Sequence, residues 1–267
     1  MSPVQSTRPR PAPLEARAQT SVKKQKLDSR LLTGHASNGM KKRTYKKAVV
    51  FCNGDLANLS RVREAINSRT FLVGCDGGTF HILSLGLVPH AVIGDFDSIS
   101  STTKRALSAG GGSSSGGKGR QIEYIRYPTD KLFTDSELGV TLAMKRGCKE
   151  IILAGVRGTA TDHFVGNLFM LAKKKFASLD IKIIEGREEI LLVRTRVRIK
   201  GSKGDDLSLI AIGQDAKGVS TKGLFYPLKN ATLKSGTAQG IRNKLTGKYA
   251  EITVRKGPLL VIHRLTL

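Results

Sequence analysis

Aspartate residues recur directly after short apolar runs of this chain, and their spacing is suited to metal chemistry. Asp76 follows one such run, and Asp95 and Asp97 follow the next. Residues i and i+2 of an extended segment share a face, so the two later carboxylates would point at one cation while Phe96 turns into the core. Carboxylate oxygens suit Mg²⁺, which commonly combines one or two carboxylates with substrate phosphates. The competing interpretation is a turn, because Gly-Asp and Asp-Ser pairs are frequent in loops.

Two later apolar runs are also followed by polar residues. These are Asp130, Lys131, Thr134 and Asp135 after the first run, and Gly155, Gly158, Asp162 and His163 after the second. A lysine can contact phosphate oxygens, and paired glycines let backbone amides approach a phosphate at a helix N-terminus. A solvated lysine, a helix N-cap at Asp162 and a surface histidine at 163 are the alternatives. Acids after four successive runs of an acid-poor chain favour a magnesium and nucleotide site.

The segments that must position these residues alternate between strand-like and helix-like patterns. Strands are predicted at 48–52, 71–75, 91–93, 122–127, 151–154 and 181–184, and helices around Phe80, Leu83 and Leu87, at 134–147 and at 162–174. This alternation predicts an α/β fold with a doubly wound, mostly parallel sheet, in which ligands gather at the carboxyl ends of the strands. Residues 48–185 are therefore predicted to form a nucleotide- and metal-binding catalytic domain.

The parts of the chain before and after this domain differ from it in composition and in sequence pattern. After about residue 186, short β-branched runs at 191–197, 207–212, 250–254 and 259–263 are separated by glycine turns. They predict a smaller all-β domain, a sandwich or barrel, over 186–267. Residues 1–47 mix basic and small polar residues without periodicity and are predicted to form a disordered basic tail. The Gly/Ser tract at 109–119 is predicted to be a flexible insertion.

The chain is strongly basic. It has 45 Lys and Arg against 21 Asp and Glu, a formal charge of +24. Residues 1–48 hold twelve basic and two acidic residues, so +10 belongs to this segment and +14 to the rest. Such a field attracts polyanions, and nonspecific binding through the basic tail is expected. Aromatic residues are only 5 % of the chain and Trp is absent, which disfavours a dedicated nucleic-acid function.

The cysteines and the apolar runs bear on the compartment. Cys52, Cys75 and Cys148 form no C-x-x-C pair and lie in or beside apolar runs, so small buried thiols in a reducing compartment are predicted. The chain has no 18-residue apolar run and its first residues are too polar for a secretory signal. We predict a cytoplasmic protein without a membrane span; the basic, acid-poor N-terminal segment would also suit an organelle transit peptide.

Taken together, the motifs resemble those of the thiamine pyrophosphokinase family over roughly residues 48–264. The matching segments are Asp76-Gly77-Gly78, Gly94-Asp95-Phe96-Asp97-Ser98, Asp130-Lys131 with Thr134-Asp135, and Gly155, Gly158, Asp162-His163 and Asn167. In the β-region, Gly223-Leu224, Tyr226-Pro227-Leu228 and Ala231-Thr232-Leu233 are also similar to the family. The segments occur in the family's order.

The resemblance implies transfer of a pyrophosphoryl group from ATP to thiamine, giving thiamine diphosphate and AMP. It implies Mg²⁺ on Asp95, Asp97 and Asp135, with Lys131 as a further catalytic residue. The ATP and phosphate contacts that it implies are Asp76, Gly77, Asp130, Lys131, Thr134, Gly155, Gly158, Asp162 and His163. It also implies thiamine contacts at Tyr226 and Asn243, in a homodimer whose β-domain completes the site of the other subunit.

Four positions depart from the family pattern. Leu132 stands where the family usually has an acid, Ala160 where it often has Arg, and Arg242 and Lys244 replace a small hydroxyl and an acid. Arg157 is a candidate replacement for the arginine missing at position 160. Arg242 and Lys244 would be unfavourable beside cationic thiamine unless their side chains are turned away from it. Two alternatives therefore stay open. One is a pyrophosphokinase of the same fold with another acceptor, such as a hydroxymethylpterin, and the other is an inactive, basic nucleic-acid-binding relative.

Overall fold

The structure is a computed structural model that describes residues 45–111, 121–128, 132–158 and 160–266. Apart from residues 132 and 133, these residues belong to one compact unit. The predicted basic tail up to residue 44, most of the Gly/Ser insertion, and two predicted site residues, Asp130 and Lys131, lie outside the described residues.

The described residues form fourteen strands and five α-helices. The strands are β1 Lys47–Phe51, β2 Thr70–Cys75, β3 Ala91–Gly94, β4 Glu123–Arg126, β5 Glu150–Ala154, β6 Asp180–Glu185, β7 Glu188–Val193, β8 Arg196–Lys200, β9 Asp206–Ala211, β10 Ala216–Lys222, β11 Ala231–Leu233, β12 Asn243–Lys244, β13 Tyr249–Thr253 and β14 Leu259–Arg264. The helices are α1 Leu59–Glu64, α2 Thr79–Ser84, α3 Ser101–Gly111, α4 Asp135–Lys145 and α5 Thr161–Leu171. Short 3₁₀ helices occupy Asp76–Gly78 and Lys174–Phe176.

Ten strands form one sheet in the order β12-β9-β14-β7-β6-β5-β1-β2-β3-β4. The six from β6 to β4 are parallel, and β1 lies between β2 and β5. Helices cover both faces of a parallel sheet, which is why the central strands are continuously apolar. Val49, Val50 and Phe51 of β1 are fully buried. From β1 the chain continues to β2, β3 and β4 on one side, and it then crosses to β5 and β6 on the other side. The topological switch point therefore lies between β1 and β5, and ligands bind at such points in open α/β sheets.

Helix α4 packs closely on the centre of this sheet. A Cβ at Gly139 would lie 2.6 Å from Val50 Cγ1 and 2.9 Å from Cys75 Sγ, so the glycine permits the close approach of helix and strands. The Cys75 thiol donates a hydrogen bond to the Asp135 carbonyl, at 3.3 Å. These contacts place the first turn of α4 beside the end of β2.

The strands after β6 are all antiparallel to their neighbours. Four of them (β7, β14, β9 and β12) extend the large sheet, and four form a second sheet in the order β11-β10-β13-β8. Apolar residues of both sheets share one core, which includes Leu207, Leu245, Ile252 and Leu259. The predicted fold class is confirmed: a parallel α/β sheet is followed by an all-β sandwich. The β6–β7 hairpin crosses the predicted boundary at 186, so the large sheet is continuous there.

Several local predictions differ from the structure. The run 191–197 was predicted as one strand, but it is split between β7 and β8 by a turn at Arg194 and Thr195. Helices α1 and α3 were not predicted. Helix α2 buries Ile82, whereas Phe80 is exposed, so the apolar spacing identified the helix but not its buried face. All three cysteines are free and buried, as expected. No helix among the described residues has the length and apolarity needed to cross a membrane.

Candidate active site

The carboxyl ends of β2 and β3 bring Asp76 against the Gly94–Ser98 segment. Asp76 has a positive φ of 45° and is buried, and its Oδ1 accepts the Phe96 N–H at 2.9 Å. Gly94 has a φ of 145°, and a Cβ there would lie 1.9 Å from Asp76 Oδ1. Gly94 therefore provides both the backbone conformation and the space that the Asp76 carboxylate requires.

The segment from Asp95 to Asp97 is a turn, so the prediction that it is extended was wrong. Phe96 has a φ of 68°, and the Asp97 N–H donates to Asp95 Oδ1 at 3.1 Å. An aspartate that accepts a hydrogen bond from the residue two positions on forms an Asx turn, which competes with strand geometry. Phe96 nevertheless packs against the small core that contains Val92, as expected. The Ser98 hydroxyl donates to Asp97 Oδ1 at 2.8 Å.

Asp135 enters the same region from the first turn of α4. Thr134 caps this helix, and its Oγ1 accepts the Glu137 N–H at 3.3 Å. A side-chain hydroxyl in this role satisfies one of the otherwise unpaired amides at a helix start. Thr134, a predicted phosphate contact, therefore has a structural role as the N-cap, and it sets Asp135 as the first residue of α4.

The electrostatics of Asp76 show that the acids converge. The pKa of Asp76 is raised to about 7, because burial together with the nearby Asp135 and Asp95 carboxylates outweighs the lowering effect of the Phe96 N–H. Like charges that crowd one site disfavour ionisation, and a cation among them would reverse this effect. The donor set thus fits a hard divalent cation. Within the described ranges, no three acid, cysteine or histidine side chains are already arranged as a metal cluster.

The loop after β5 packs against the loop after β1. Gly155 has a φ of 65°, its carbonyl accepts the Gly54 N–H at 2.8 Å, and a Cβ at Gly158 would lie 3.4 Å from Gly54 Cα. The ring Nε2 of His81 lies 2.9 Å from the Gly54 carbonyl and donates to it. Gly77 lies on the other side, where a Cβ would be 1.9 Å from Asn53 Oδ1. The predicted Gly77, Gly155 and Gly158 are thus brought together around one loop.

Asn53, Gly54 and His81 lie against the predicted Gly77 and Gly155 but were not among the predicted site residues. The sequence contained one usable signal, because Asn53-Gly54-Asp55 follows a predicted strand in the same way as the acids that were selected. His81 had no comparable signal, since its contact with Gly54 depends on how α2 packs against the loop.

Two backbone amides between the predicted phosphate-binding glycines Gly155 and Gly158 are already used by the protein. The buried Glu185 carboxylate accepts the Val156 and Arg157 N–H groups at 3.1 and 3.2 Å. The Arg157 guanidinium donates to Glu188 Oε2 at 2.9 Å and lies over the Phe164 ring, 4.8 Å from its centroid. A phosphate at this loop would therefore meet Gly158 and the start of α5 rather than these two amides.

The start of α5 differs in part from its prediction. Its N-cap is Ala160, so the alternative interpretation of Asp162 as the N-cap was wrong. Asp162 and His163 lie in the exposed first turn, where Asp162 Oδ1 accepts the His163 N–H at 2.8 Å. One turn later, the buried Asn167 accepts the Ser136 hydroxyl at 2.5 Å, which links α5 to the first turn of α4.

The predicted thiamine contacts lie in the antiparallel part of the molecule. The Asn243 side chain is committed to the main chain of Tyr226: its Oδ1 accepts the Tyr226 N–H at 3.0 Å and its Nδ2 donates to the Tyr226 carbonyl at 2.7 Å. The Tyr226 ring is 65 % exposed and packs edge-on against Phe225. Asn243 therefore holds the main chain of Tyr226 in place, and the exposed rings of Phe225 and Tyr226 are the surface that a ligand could contact.

The two cations that replace the family's residues are arranged differently from each other. Lys244 Nζ lies 2.8 Å from Asp206 Oδ1, so its charge is neutralised. Arg242 has a φ of 62°, and its N–H donates to Ser208 Oγ at 3.1 Å. Pairing of Lys244 removes part of the repulsion expected toward a cationic substrate.

The two groups of predicted site residues lie far apart within one chain. Asn243 is on β12, at one end of the ten-stranded sheet, and Asp76 follows β2, seven strands along. Neighbouring strands lie about 4.8 Å apart, so the separation is on the order of 30 Å. One small substrate cannot bridge this distance.

Comparisons with known proteins agree with this architecture. Residues 62–183 match the family model described as thiamin pyrophosphokinase, catalytic domain, and residues 194–259 match the one described as thiamin pyrophosphokinase, vitamin B1 binding domain. A thiamine pyrophosphokinase of Bacillus subtilis is 26 % identical over 198 residues, which cover 73 % of this chain and 88 % of the relative.

Solved structures show the same fold. The crystal structure of thiamine pyrophosphokinase from Bacillus subtilis has a TM-score of 0.73 at 24 % identity, covering 83 % of this chain and 100 % of the other. That of the yeast enzyme has a TM-score of 0.62 at 15 % identity, covering 84 % and 87 %. The two family models together span most of the described strands and helices, in the order found here. The chain belongs to the thiamin pyrophosphokinase family.

Proposed function

We propose that this protein transfers a pyrophosphoryl group from ATP to thiamine, producing thiamine diphosphate and AMP. The observation that carries the proposal is the convergence of Asp76, Asp95 and Asp135 at the ends of β2 and β3 and the start of α4. In the transfer, the thiamine hydroxyl loses its proton to solvent as its oxygen bonds to the β-phosphorus, and the bond between that phosphorus and the oxygen of AMP breaks. Such a reaction depends on positioning and on neutralising phosphate charge.

Asp95, Asp97 and Asp135 would hold Mg²⁺, which neutralises phosphate charge when bound. Asp76 would act with them in the ATP site, since its carboxylate is oriented by the Phe96 N–H. Gly77, Gly155 and Gly158 let the backbone pack closely around the loop after β1, and Thr134, Asp162 and His163 lie on the two helix starts. Asp130 and Lys131 keep their predicted phosphate-binding roles as sequence-based predictions.

The reaction is tested by measuring AMP release from ATP and Mg²⁺ with thiamine, with a hydroxymethylpterin and with neither. Thiamine-dependent release is expected. Asp97→Asn should lower kcat by roughly 10²–10³-fold, because removing one charge-stabilising contact has effects of this size. Asp180→Asn is the matched control, since Asp180 is an exposed aspartate at the start of β6. Release that depends on the pterin, or equal effects of the two substitutions, would contradict the proposal.

We also propose that the active unit is a homodimer with composite sites. The separation between Asn243 and the acids is the first support, and exposed apolar residues on α5 are the second. Val165 and Phe169 of this helix are 41 % and 54 % exposed, and Ile241 is 47 % exposed. An apolar surface of this kind favours subunit contact. Tyr226 of one subunit would then face the acids of the other.

Subunit mixing tests this arrangement. Asp97→Asn and Tyr226→Ala are each expected to inactivate the homodimer, and both change exposed side chains, so folding should be preserved. After co-refolding, random pairing makes half of the dimers mixed, each with one intact site, so activity should recover to about one quarter of wild type. Sedimentation of labelled subunits verifies exchange. Proven exchange without recovery would place each whole site within one chain. The cytoplasmic location and polyanion binding by the basic tail remain predictions.

A further inference from the structure

The active site does not use most of the positive charge outside the N-terminal segment, and part of that charge is concentrated on one sheet. The outward side of the four-stranded sheet, which we call the basic face, carries Arg196, Arg198 and Lys200 of β8, Tyr249 and Glu251 of β13, and Lys217 and Lys222 of β10. Residues that alternate with these, such as Ile199, Ala250 and Ile252, are buried in the sandwich core.

Strand pairing gives the basic face a regular layout. Arg198 is opposite Glu251, which is opposite Lys222 on the next strand, and Lys200 is opposite Tyr249. Strands about 4.8 Å apart place Arg198 and Lys222 about 10 Å from each other, and Arg196 to Lys200 spans about 13 Å along β8. The cations therefore cover an area large enough for several phosphate groups.

The charge of this face is unbalanced. Five cations share it with one acid, Glu251, whose carboxylate pairs with Arg198 and, at 3.1 Å, with Arg196. The net charge of the face is therefore +4. Two copies of this chain that met through the basic face would place like charges against each other, which disfavours self-association there. Charge complementarity points to a polyanion.

One aromatic side chain indicates which class of polyanion fits the basic face. The Tyr249 ring is 50 % exposed, and the Arg198 guanidinium lies over it, 4.9 Å from its centroid. Solvent-facing sheets with exposed aromatic rings and cations bind single strands, because bases stack on the rings while the cations contact the phosphates. We propose that the basic face binds single-stranded nucleic acid, with Tyr249 stacking a base.

Two other occupants fit the face less well. Duplex DNA is read by a helix or a two-stranded ribbon inserted into a groove, and the basic face is the broad side of a four-stranded sheet. An anionic membrane surface is bound by segments that also insert large apolar side chains. Among the residues on the outward side of these strands, Tyr249 alone is large and partly apolar.

The test compares two triple variants of the full chain that lose equal charge. The face variant is Arg196→Ala/Lys200→Ala/Lys222→Ala, and the control is Lys104→Ala/Arg105→Ala/Lys149→Ala, in which three exposed cations outside the sandwich are removed. Binding of a short labelled oligouridylate is followed by fluorescence anisotropy across a salt titration. Because both variants change the total charge equally, any difference between them reports the basic face.

We expect the face variant to bind at least tenfold more weakly than the control at low salt. The slope of log affinity against log salt should be shallower by about 2 for the face variant than for the control, because three phosphate contacts are lost and each contributes about 0.7 for a single strand. Tyr249→Thr should weaken binding about tenfold without changing the slope, since stacking is worth 1–3 kcal/mol per base. Both triple variants should keep their melting temperature and their AMP release.

Other results would overturn the proposal. Equal weakening of the two triple variants would assign binding to overall charge. Tighter binding of a duplex of the same length, with no effect of Tyr249→Thr, would assign it to phosphate density alone. Binding of phosphatidylserine vesicles that requires the face residues, without binding of the oligonucleotide, would make the face a membrane contact.

Discussion

Glu185 is the residue that holds the loop after β5 in its conformation. Its carboxylate accepts two successive backbone N–H groups, those of Val156 and Arg157, and it is only 6 % exposed. Burial raises its pKa, while the two N–H groups and the Arg157 charge act in the opposite direction. Hydrogen bonds to an ionised acceptor are stronger than those to a neutral one. The loop therefore depends on a charge that is distant in sequence.

Glu185→Gln should raise the KM for ATP about tenfold with a smaller change in kcat. Both N–H groups donate to the same oxygen, Oε2, and a neutral amide oxygen in its place accepts weaker hydrogen bonds than the ionised carboxylate, so the loop is held less firmly. Hydrogen exchange at the Val156 and Arg157 amides should accelerate in the same variant. Glu189→Gln is the control, because Glu189 lies on the same hairpin but pairs with Arg61 and Lys182. Unchanged exchange at both amides would show that Glu185 does not hold the loop.

At the scale of elements, the ends of β2 and β3 form one unit through Gly94 and Asp76. The positive φ of Gly94 ends β3 and directs the chain into the Asx turn at Asp95. The side of Gly94 where a Cβ would stand is occupied by the Asp76 carboxylate. Two strands thus share one polar contact at the edge where the acids converge.

Gly94→Ala should therefore abolish activity as well as reduce stability. The added methyl group cannot coexist with the Asp76 carboxylate, so the acid must move. Gly86→Ala is the matched control, because Gly86 also has a positive φ, 67°, but a Cβ at this position would meet no atom within 4 Å. Both variants should lose about 1 kcal/mol or more from backbone strain, measured by urea unfolding. If both keep equal activity, the contact between Gly94 and Asp76 has no role in the site.

At the scale of the whole molecule, the end of the chain is tied into the sandwich by a buried acid. Asp205 accepts the Ser202 N–H and both the N–H and the hydroxyl of Thr266, and it lies 2.9 Å from His263 Nε2. Burial opposes ionisation of Asp205, but the hydrogen bonds from Thr266, Ser202 and His263 prevail and lower its pKa to about 2. The ionised carboxylate therefore stabilises the folded state.

The stability that Asp205 contributes should be lost as the pH falls. Because its folded pKa lies below the unfolded value of about 3.9, the contribution is complete above that value and disappears toward pH 2. The shift corresponds to about 2 kcal/mol. Urea unfolding of the wild type and of Asp205→Asn should show a stability gap of at least this size at pH 6, narrowing by about 2 kcal/mol near pH 2. A gap that is constant with pH would exclude this role.

The succession of the six parallel strands and the positions of the acids followed from sequence alone, whereas helices α1 and α3 did not. Continuous apolar runs such as 71–75 and 151–154 predict buried parallel strands, and residues that follow parallel strands must lie at one edge of the sheet. This local rule predicts that Asp76, Asp95 and Asp135 lie near one another, as they do in the structure. Individual strands and helices could be predicted because the periods of about 2 and 3.6 residues that identify them are visible within one short segment.

The tertiary structure decided whatever depends on contacts between distant parts of the chain. It turned the Asp95–Asp97 segment away from the extended form, because Asp76 captures the Phe96 N–H from twenty residues away. It assigned Glu185 to the loop after β5, and it continued the sheet past β6 so that Asn243 lies far from the acids. Strand order and the partners of buried polar groups are set by packing of the whole molecule, which no single segment encodes.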